Sequence, residues 1–385
     1  MNVRKPLLCL SLCLALSAAP ALSTAEDAPG GDLAAPAGES IEVEGLATED
    51  DAGAVEADAS GETASIEGLT PLYTTKIKPF TANGTMIRMR ARQDGESEVV
   101  CTINKNEIIT IYAVYPSYVL AEYNGKAGYV IRTWIDENVS VLDPANTPPY
   151  GVTPMRYVAT VTQPANVYTR PSLSADVNDI VVGAGNKVTV VEFVDGFAKV
   201  LYWRSYGYID ARLLTDLVVV AQTDEPLSED TPIAAFCSFF AYNTRSEGND
   251  GRCKNIVRSC ELMTRVIKPG ESLDFNAQIG PYKKANGYFP APVLIDGGSQ
   301  LGYGGGTCQS SSTLYNAIRQ LPGITVLMRR PHGPGSARYL PMHQDAAVGN
   351  AQLNLVFRND YDFPIRILAE SNGEGSLCIQ IFRED

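Results

Sequence analysis

Cys308 lies at a junction where residue types and spacing are suited to nucleophilic chemistry. The stretch 301–318, LGYGGGTCQSSSTLYNAI, places three consecutive glycines and a threonine before the cysteine and a helix-like sequence after it. If a helix begins near Cys308, the unpaired N–H groups of its first turn and the helix macrodipole favour the thiolate form of the sulfur. The N–H groups of Gly306, Thr307 or Cys308 are then candidates to stabilise an oxyanion.

A candidate base and a candidate carboxylate follow later in the chain. A thiolate nucleophile needs a base, and the base needs a group that orients it. His332 follows the predicted strand GITVLMRR, 24 residues after Cys308, and Asp345 comes 13 residues later. Cys308, His332 and Asp345 are therefore predicted to be a catalytic set for acyl transfer or amide hydrolysis, although their order along the chain does not establish that they meet.

Two other interpretations of the glycine turn remain open. The turn fits a tight connection, or a site that binds a carboxylate without chemistry, with Cys308 buried as a small apolar residue. Cys308 is also free to form a disulfide with Cys237 or Cys378. No Gly-Lys-(Ser/Thr) sequence follows the glycines, so the turn is not a phosphate loop. The predicted substrate-binding residues of this turn are Gly304, Gly305, Gly306, Thr307 and Gln309.

The cysteine count sets limits on the remaining chemistry. Two of the eight cysteines, Cys9 and Cys13, lie in the apolar N-terminal stretch, which leaves six. An even number permits disulfides in an exported protein, but a chain of 385 residues with irregular cysteine spacing is not a disulfide scaffold. With two histidines and no CxxC pair, no metal site is predicted, and no cofactor.

The elements that must position these residues are predicted in 233–385. The sequence NDGRCKNIVRSCELMTRVI predicts a helix over about 251–266, ended by Pro269 and Gly270. A second helix is predicted after the glycine turn, with Leu314, Ala317 and Ile318 on one face. The segments QLNLVFRN, FPIRILAES and LCIQIFRE alternate as strands. This region is predicted to be an α+β domain.

Two earlier segments, in 71–142 and 155–216, repeat one pattern. Each has an arginine-bearing turn, short alternating strands and a closing Gly-Tyr-Val (128–130) or Gly-Tyr-Ile (207–209). Such strands with Gly, Asn and Asp turns predict small all-β barrels. The pattern resembles bacterial SH3-like domains, which implies binding of cell-wall peptides or a role as spacers. A proline-rich connection separates the two segments, and a linker is predicted at 217–232.

The N-terminal region predicts export. Residues 1–25 have the basic start, apolar run and small residues of a signal peptide. Residues 26–70 hold 13 Asp and Glu with no Lys or Arg, which alone equals the net charge of −13, and predict a disordered acidic linker. An acidic chain of this kind argues against a nucleic-acid partner. No other segment approaches the roughly 20 apolar residues of a membrane span, so none is predicted in the mature chain.

The chain resembles the VanW-like family in an ordered set of motifs: NTRSEGNDGRCKNI, IKPGESLDFNAQIGPYKKANGYFPAPVLIDGG, GGGTCQSSSTLYNAI, RRPHGPGSARYLP and QDAAV. The resemblance covers about 236–382 and implies association with the cell envelope, as in vancomycin-resistance clusters, with peptidoglycan or its peptides as partner. Arg245 and Asn276 match polar positions of the family pattern and are predicted to bind substrate. Arg330 is predicted to bind a wall-peptide carboxylate, or to be a solvated charge. This chain has His343 where the family usually has glycine.

These observations predict a multidomain, exported cell-envelope protein with two small SH3-like barrels followed by an α+β VanW-like domain. The predicted function is to bind or modify peptidoglycan peptides, with Cys308 as nucleophile of an amidase, peptidase or transpeptidase. The alternatives are a wall-binding or peptide-binding protein with a structural Cys308, and a purely structural surface protein.

Overall fold

The computed structural model describes residues 63–78, 86–226, 228–242, 244–295, 298–332, 337–341 and 344–384. The predicted signal peptide, most of the acidic linker and His343 lie outside the described residues. Within these ranges the chain is mostly β-sheet with three α-helices, and every strand pair is antiparallel. None of the described helices combines the length and the apolarity needed to cross a bilayer.

The first group of strands forms one sheet. Its members are β1 (Tyr73–Lys76), β2 (Met86–Arg90), β3 (Val99–Asn104), β4 (Ile108–Val114), β5 (Tyr118–Tyr123), β6 (Lys126–Ile131) and β7 (Ser140–Val141). Their order is β3-β2-β6-β5-β4-β1-β7. The closing Gly-Tyr-Val of the repeated pattern lies in β6, where a Cβ on Gly128 would sit 2.4 Å from Cγ of Met89. The glycine is required because the Met89 side chain crosses over it.

The second group repeats this arrangement in two sheets. Its members are β8 (Tyr157–Val161), β9 (Ala165–Tyr168), β10 (Val177–Val182), β11 (Lys187–Val190), β12 (Glu192–Val194), β13 (Phe197–Tyr202), β14 (Ser205–Asp210) and β15 (Leu214–Val219). The sheet orders are β10-β9-β14-β13-β12 and β11-β8-β15. The described strands form no closed barrel in either group, so the SH3-like class and the domain bounds stay predictions. Strand β15 runs into the predicted linker 217–232.

The C-terminal part combines helices with antiparallel sheets. Its elements are β16 (Ala234–Phe239), α1 (Asn249–Met263), β17 (Arg265–Ile267), β18 (Ser272–Asp274), α2 (Phe275–Gln278), β19 (Pro290–Ile295), β20 (Gly298–Tyr303), α3 (Thr307–Ile318), β21 (Ile324–Arg329), β22 (Leu355–Asn359), β23 (Ile365–Glu370) and β24 (Ser376–Arg383). The sheets are β16-β24-β23-β17, β18-β22-β21 and the hairpin β19-β20. Helices α1 and α3 contact each other, and both contact the four-stranded sheet.

Helix α1 begins two residues before the predicted start at 251 and ends at Met263, before the predicted end at 266. Gly248, with a left-handed φ of 75°, turns the chain into the helix. Thr264 leaves it in extended conformation, because the following residues pair as β17 with β23. Pairing of β17 with β23 therefore ends the helix before the position that the helical sequence pattern predicts.

The second strand group and the C-terminal part share buried surface. Phe197 and Tyr206 belong to the same apolar cluster as Phe236 and Ile256. Polar contacts continue this interface: the amide of Asn186 donates to Oδ1 of Asn372 at 2.5 Å. The second group is therefore packed against the C-terminal part rather than held away from it.

Candidate active site

Cys308 is the second residue of α3. Gly306 precedes the helix with a left-handed φ of 102°, which sets the direction in which the helix starts. The Cys308 side chain is partly exposed. Its thiol donates to the carbonyl oxygen of Val348, and the N–H of Val348 approaches the sulfur, both at 3.4 Å. The sulfur is thus held at the surface end of a buried helix.

His332 and Asp345 meet next to this thiol. Nδ1 of His332 lies 2.5 Å from Oδ2 of Asp345, and the backbone N–H of His332 donates to the same oxygen at 2.7 Å. The Asp345 side chain is fully buried, whereas the His332 side chain is 21% exposed. The Cys308 side chain lies near enough to His332 to act on the charge of its ring. The structure therefore brings together the three residues predicted as a catalytic set.

The ionisation of His332 reflects these partners. Burial alone disfavours the charged imidazolium, but the hydrogen bond to Asp345 and the charge of Cys308 outweigh it and raise the pKa of His332 to about 10. At neutral pH the ring is therefore an imidazolium bonded to the Asp345 carboxylate. Since Nδ1 faces Asp345, the other ring nitrogen is the one available to the thiol.

The end of β21 anchors the segment that carries Asp345. Nε of Arg329 donates to the backbone oxygen of Asp345 at 2.7 Å, and its guanidinium lies 3.7 Å from Oδ1 of the same residue. The N–H of Ala347 donates to the carbonyl of Arg330 at 2.7 Å. These bonds fix the distance between the His332 loop and the Asp345 segment.

Hydroxyl and amide groups of α3 hold the same segment from the other side. Ser311 donates to the carbonyl of Ala346 at 2.6 Å, and the N–H of Ala346 donates to Ser312 Oγ at 2.9 Å. The amide of Asn316 donates to the carbonyl of Gln344 at 2.7 Å. All three α3 side chains are buried. The 344–348 segment has no strand partner along α3 among the described residues, and these side chains supply its backbone hydrogen bonds instead. This role explains why the buried helix is rich in serine.

In the first turn of α3, the N–H of Cys308 has no acceptor among the described residues and is available to an oxyanion. The N–H of Thr307 donates to the Gly304 carbonyl at 3.1 Å, and that of Gln309 to the Gly306 carbonyl at 3.0 Å. The N–H of Cys308 donates to no group in the part of the chain that the structure describes. It is the best candidate for an oxyanion donor, because it belongs to the nucleophile itself.

The three glycines are required by packing inside the protein. A Cβ on Gly304 would lie 2.6 Å from Cβ of Tyr282, and one on Gly305 would lie 2.4 Å from the carbonyl oxygen of Pro292. Gly304 also has a φ of 91°. The space that a substrate backbone was expected to use is therefore occupied by Tyr282 and the β19 strand, and contact of the glycines with substrate stays a prediction.

The remaining predicted binding residues lie in different environments. Gln309 is buried, and its amide donates at 3.0 Å to both Ser238 Oγ and the Phe239 carbonyl. The hydroxyl of Thr307 is buried and donates to Gly304. The side chains of Arg245 and Arg330 are exposed to solvent. A role for any of them in substrate binding stays a prediction.

Asn276 helps to form a cavity close to the thiol. Its amide donates to the carbonyls of Asn350 and Leu353 at 2.8 Å, and its oxygen accepts the Tyr282 hydroxyl at 2.8 Å. Asn276, Tyr282 and Tyr303 line a cavity of about 560 Å³, which also reaches Gly349, next to the Val348 that holds the sulfur. This volume is suited to a small part of a peptide or sugar.

Several residues of the site were not found from the sequence. Ser311 and Ser312 lie in α3, and Arg252 and Tyr339 pack against it. Only the run of serines after Cys308 is a sequence signal for any of them. None of the six cysteines of the described residues forms a disulfide, so Cys308 is not paired with Cys237 or Cys378. Those two lie opposite each other in β16 and β24. No cluster of three metal-ligating side chains occurs in the described ranges.

Fold and site together define a chain of several mostly β domains, whose C-terminal part carries a Cys-His-Asp constellation at the start of a buried helix. A family model described as VanW like protein matches residues 251–382. The uncharacterized protein YoaR of Bacillus subtilis (strain 168) is 30% identical over 224 residues, covering 57% of this chain and 71% of that protein. The chain belongs to the VanW-like family, which confirms the resemblance.

Solved structures give weaker similarities. NlpC2 from Trichomonas vaginalis has a TM-score of 0.17 and 12% identity, covering 51% of this chain and 57% of that one. The chain thus spans less than two thirds of NlpC2. NlpC1 from the same organism has a TM-score of 0.18 and 14% identity, covering 84% and 91%. Similarities of this size bear neither on fold nor on function.

Proposed function

We propose that this protein is an exported cell-envelope enzyme that transfers or hydrolyses acyl groups of peptidoglycan peptides through Cys308. The observation that carries the proposal is the juxtaposition of the Cys308 thiol with a His332 ring that Asp345 orients. Membership of the VanW-like family supports a function related to the cell wall. The packing of the second strand group against the C-terminal part supports a joint role for both in wall binding.

The first half of the reaction forms a thioester. His332 is already an imidazolium at neutral pH, so Cys308 loses its proton to solvent, and its thiolate, paired with His332, attacks the carbonyl carbon of a peptide amide. The resulting oxyanion accepts a hydrogen bond from the backbone N–H of Cys308. His332 then donates its proton to the amide nitrogen, the C–N bond breaks, and the amine leaves. Asp345 stays ionised throughout and stabilises the imidazolium.

The second half releases the acyl group. Water or an amine approaches the thioester, and neutral His332 accepts its proton as the new C–O or C–N bond forms. The C–S bond then breaks, and the sulfur leaves as the thiolate beside the imidazolium. Water yields hydrolysis and an amine yields transpeptidation. Both outcomes use the same protein groups, so the constellation is compatible with either.

A second function, binding without chemistry, is favoured by the bonds of the sulfur to Val348. A thiol that donates to the carbonyl of Val348 and lies near its N–H acts as a backbone clamp. In that case the domain recognises a wall peptide, and Cys308 only holds the 344–348 segment in place. The alternative predicts that Cys308→Ala weakens the fold but leaves ligand binding intact.

The deciding experiment is thiol reactivity combined with acyl trapping. Native full-length protein is alkylated with iodoacetamide across pH 5 to 9 and mapped by mass spectrometry without reduction. Cys308 is expected to react first, whereas Cys237, Cys260 and Cys378 stay unlabelled, because burial raises the pKa of each. The protein is then incubated with stem peptides released from bacterial cell walls, and its intact mass is followed for a thioester adduct.

A Cys308→Ser variant is the matched control, since it keeps a hydroxyl near Val348 while losing the thiolate. The enzyme proposal requires that this variant forms no thioester adduct and loses activity on the stem peptides. Full activity in the variant, or a Cys308 that reacts only after unfolding, overturns the proposal in favour of the binding function.

A further inference from the structure

Arg252 lies beside the candidate active site and has no carboxylate partner among the described residues. It lies in the first turns of α1 and is partly buried. Its guanidinium donates to Oε1 of Gln309, the residue after the nucleophile, and stands 5.6 Å from the ring centroid of Phe240. Among the described residues no Asp or Glu forms an ion pair with it. Burial lowers the pKa of Arg252, but an arginine remains charged.

A neighbour on the same helix has the carboxylate partner that Arg252 lacks among the described residues. Arg258, further along α1, pairs with Glu261 at 2.7 Å. A partly buried guanidinium without a carboxylate carries an uncompensated desolvation cost. A ligand anion that forms charge-assisted hydrogen bonds with the guanidinium offsets that cost.

A second donor faces the same region. The hydroxyl of Tyr339 is buried and has no hydrogen-bond partner among the described residues; Ser312 lies near it without hydrogen-bond geometry. Tyr339 packs against the same apolar cluster as Cys308, and that cluster contains the Phe240 ring beside which the Arg252 guanidinium stands. Burial raises the pKa of Tyr339 far above its ordinary value, so the hydroxyl remains a donor.

We propose that Arg252 and the Tyr339 hydroxyl bind a carboxylate of the substrate and thereby select peptides with a free carboxylate near the bond attacked by Cys308. This specificity rests on the proposed function. The planar guanidinium fork suits a carboxylate, and the phenol supplies one further donor. Gln309 holds the Arg252 guanidinium in position, because its oxygen accepts from the guanidinium while its amide nitrogen donates to Ser238 and Phe239.

The test measures binding separately from chemistry. Full-length Cys308→Ala protein is titrated calorimetrically with one purified stem peptide, in its free-acid form and with its carboxylates converted to methylamides. The free acid is expected to bind at least about tenfold more tightly, as expected for a charge-assisted bond. Arg252→Met on this background abolishes the difference, whereas Arg252→Lys keeps part of it, since the charge remains without the fork. Tyr339→Phe gives a smaller loss.

The control is Lys254→Met, which removes an exposed cation of the same helix that pairs with Asp250. It leaves the preference unchanged. Equal binding of both peptide forms, binding of neither, or a preference that survives in Arg252→Met overturns the inference. If Arg252→Met does not fold, Arg252→Lys and Tyr339→Phe decide in its place. A preference for the free acid together with no thioester on Cys308 refutes the proposed enzyme but not this binding role.

Discussion

Oδ2 of Asp345 accepts two hydrogen bonds from one residue, the backbone N–H of His332 at 2.7 Å and its ring Nδ1 at 2.5 Å. A single carboxylate oxygen thus fixes both the loop and the ring orientation of the candidate base. Because the ring has only one nitrogen left, its direction toward Cys308 is set by Asp345. The protonation state and the geometry of His332 are therefore coupled to one buried group.

Asp345→Asn is expected to destabilise the protein and to remove the thiol chemistry. The amide leaves both His332 and Arg329 without their buried anion, and breaking a buried pair in this way costs about 3–5 kcal/mol. Urea denaturation measures the loss. Asp250→Asn, which removes an exposed carboxylate paired with Lys254, serves as the control with an expected change of about 0–1 kcal/mol. Equal losses in both variants would contradict the role of Asp345 as a buried anchor.

His332 is expected to remain protonated well above neutral pH. Its pKa is raised from 6.5 to about 10 in the folded state, because the interactions with Asp345 and Cys308 outweigh burial. A raised pKa stabilises the fold fully below about pH 6.5 and progressively less up to about pH 10, where the contribution vanishes. Stability relative to His332→Gln should therefore fall across this window as pH rises.

NMR of the imidazole protons measures this titration directly. The chain has two histidines, so His343→Gln assigns the signals without ambiguity. Cys308→Ala removes one of the two favourable partners and should lower the apparent pKa of His332, while Asp345 keeps it above 6.5. A His332 that titrates near 6.5 in the wild-type protein would show that the interactions with Asp345 and Cys308 do not persist in solution.

The sequence allowed the chemistry-bearing residues to be predicted, but not most of what positions them. The glycine turn, the helix start at Cys308 and the strand before His332 follow from local patterns, which depend on near neighbours. The hydrogen bonds between α3 and the 344–348 segment depend on which backbone atoms lie opposite Ser311 and Ser312. That pairing joins residues 34 and 35 positions apart and is decided by tertiary packing.

Arg252 was missed for a related reason. It stands in α1, inside a motif whose charges are mostly exposed, and nothing local separates it from Lys254 or Arg258. Its relation to Gln309 arises only when α1 packs against α3. Likewise Thr307 was expected among the oxyanion donors, but its N–H is used by the Gly304 carbonyl. Residue types suggest candidates, and hydrogen-bond geometry selects among them.

Ser312→Ala is expected to weaken both the fold and the activity, while Ser310→Ala is expected to be nearly neutral. Ser312 accepts the N–H of Ala346, so its loss leaves a buried donor unpaired at a cost of about 1–3 kcal/mol. Ser310 is equally buried, but its hydroxyl has no hydrogen-bond partner in the described part of the chain. Thermal unfolding compares the two variants.

The same pair separates positioning from general stability in the reaction. If Ser312 positions Asp345 through Ala346, Ser312→Ala slows thioester formation on Cys308 at temperatures where the protein is fully folded, whereas Ser310→Ala does not. Ser312→Thr retains the hydroxyl and should restore part of the rate. Identical rates of thioester formation in Ser312→Ala and the wild type would show that the hydrogen bond between Ser312 and Ala346 matters for stability alone.

Gly306→Ala tests whether the left-handed turn before α3 sets the position of the nucleophile. An alanine at this φ of 102° is strained, and its Cβ would lie 2.9 Å from the backbone oxygen of Arg252, which cannot move without moving α1. We expect a loss of about 3 kcal/mol, from left-handed strain plus overpacking, together with slower alkylation of Cys308. Gly185→Ala is the matched control, because Gly185 has a φ of 80° with no atom within 4 Å of its Cβ position. Its folding stability should fall only by the strain of the left-handed alanine, about 1–2 kcal/mol, and its alkylation rate should not change.

Equal losses of stability in the two variants would mean that α1 moves to accommodate the added methyl group. The start of α3 would then not be fixed by its contact with Arg252.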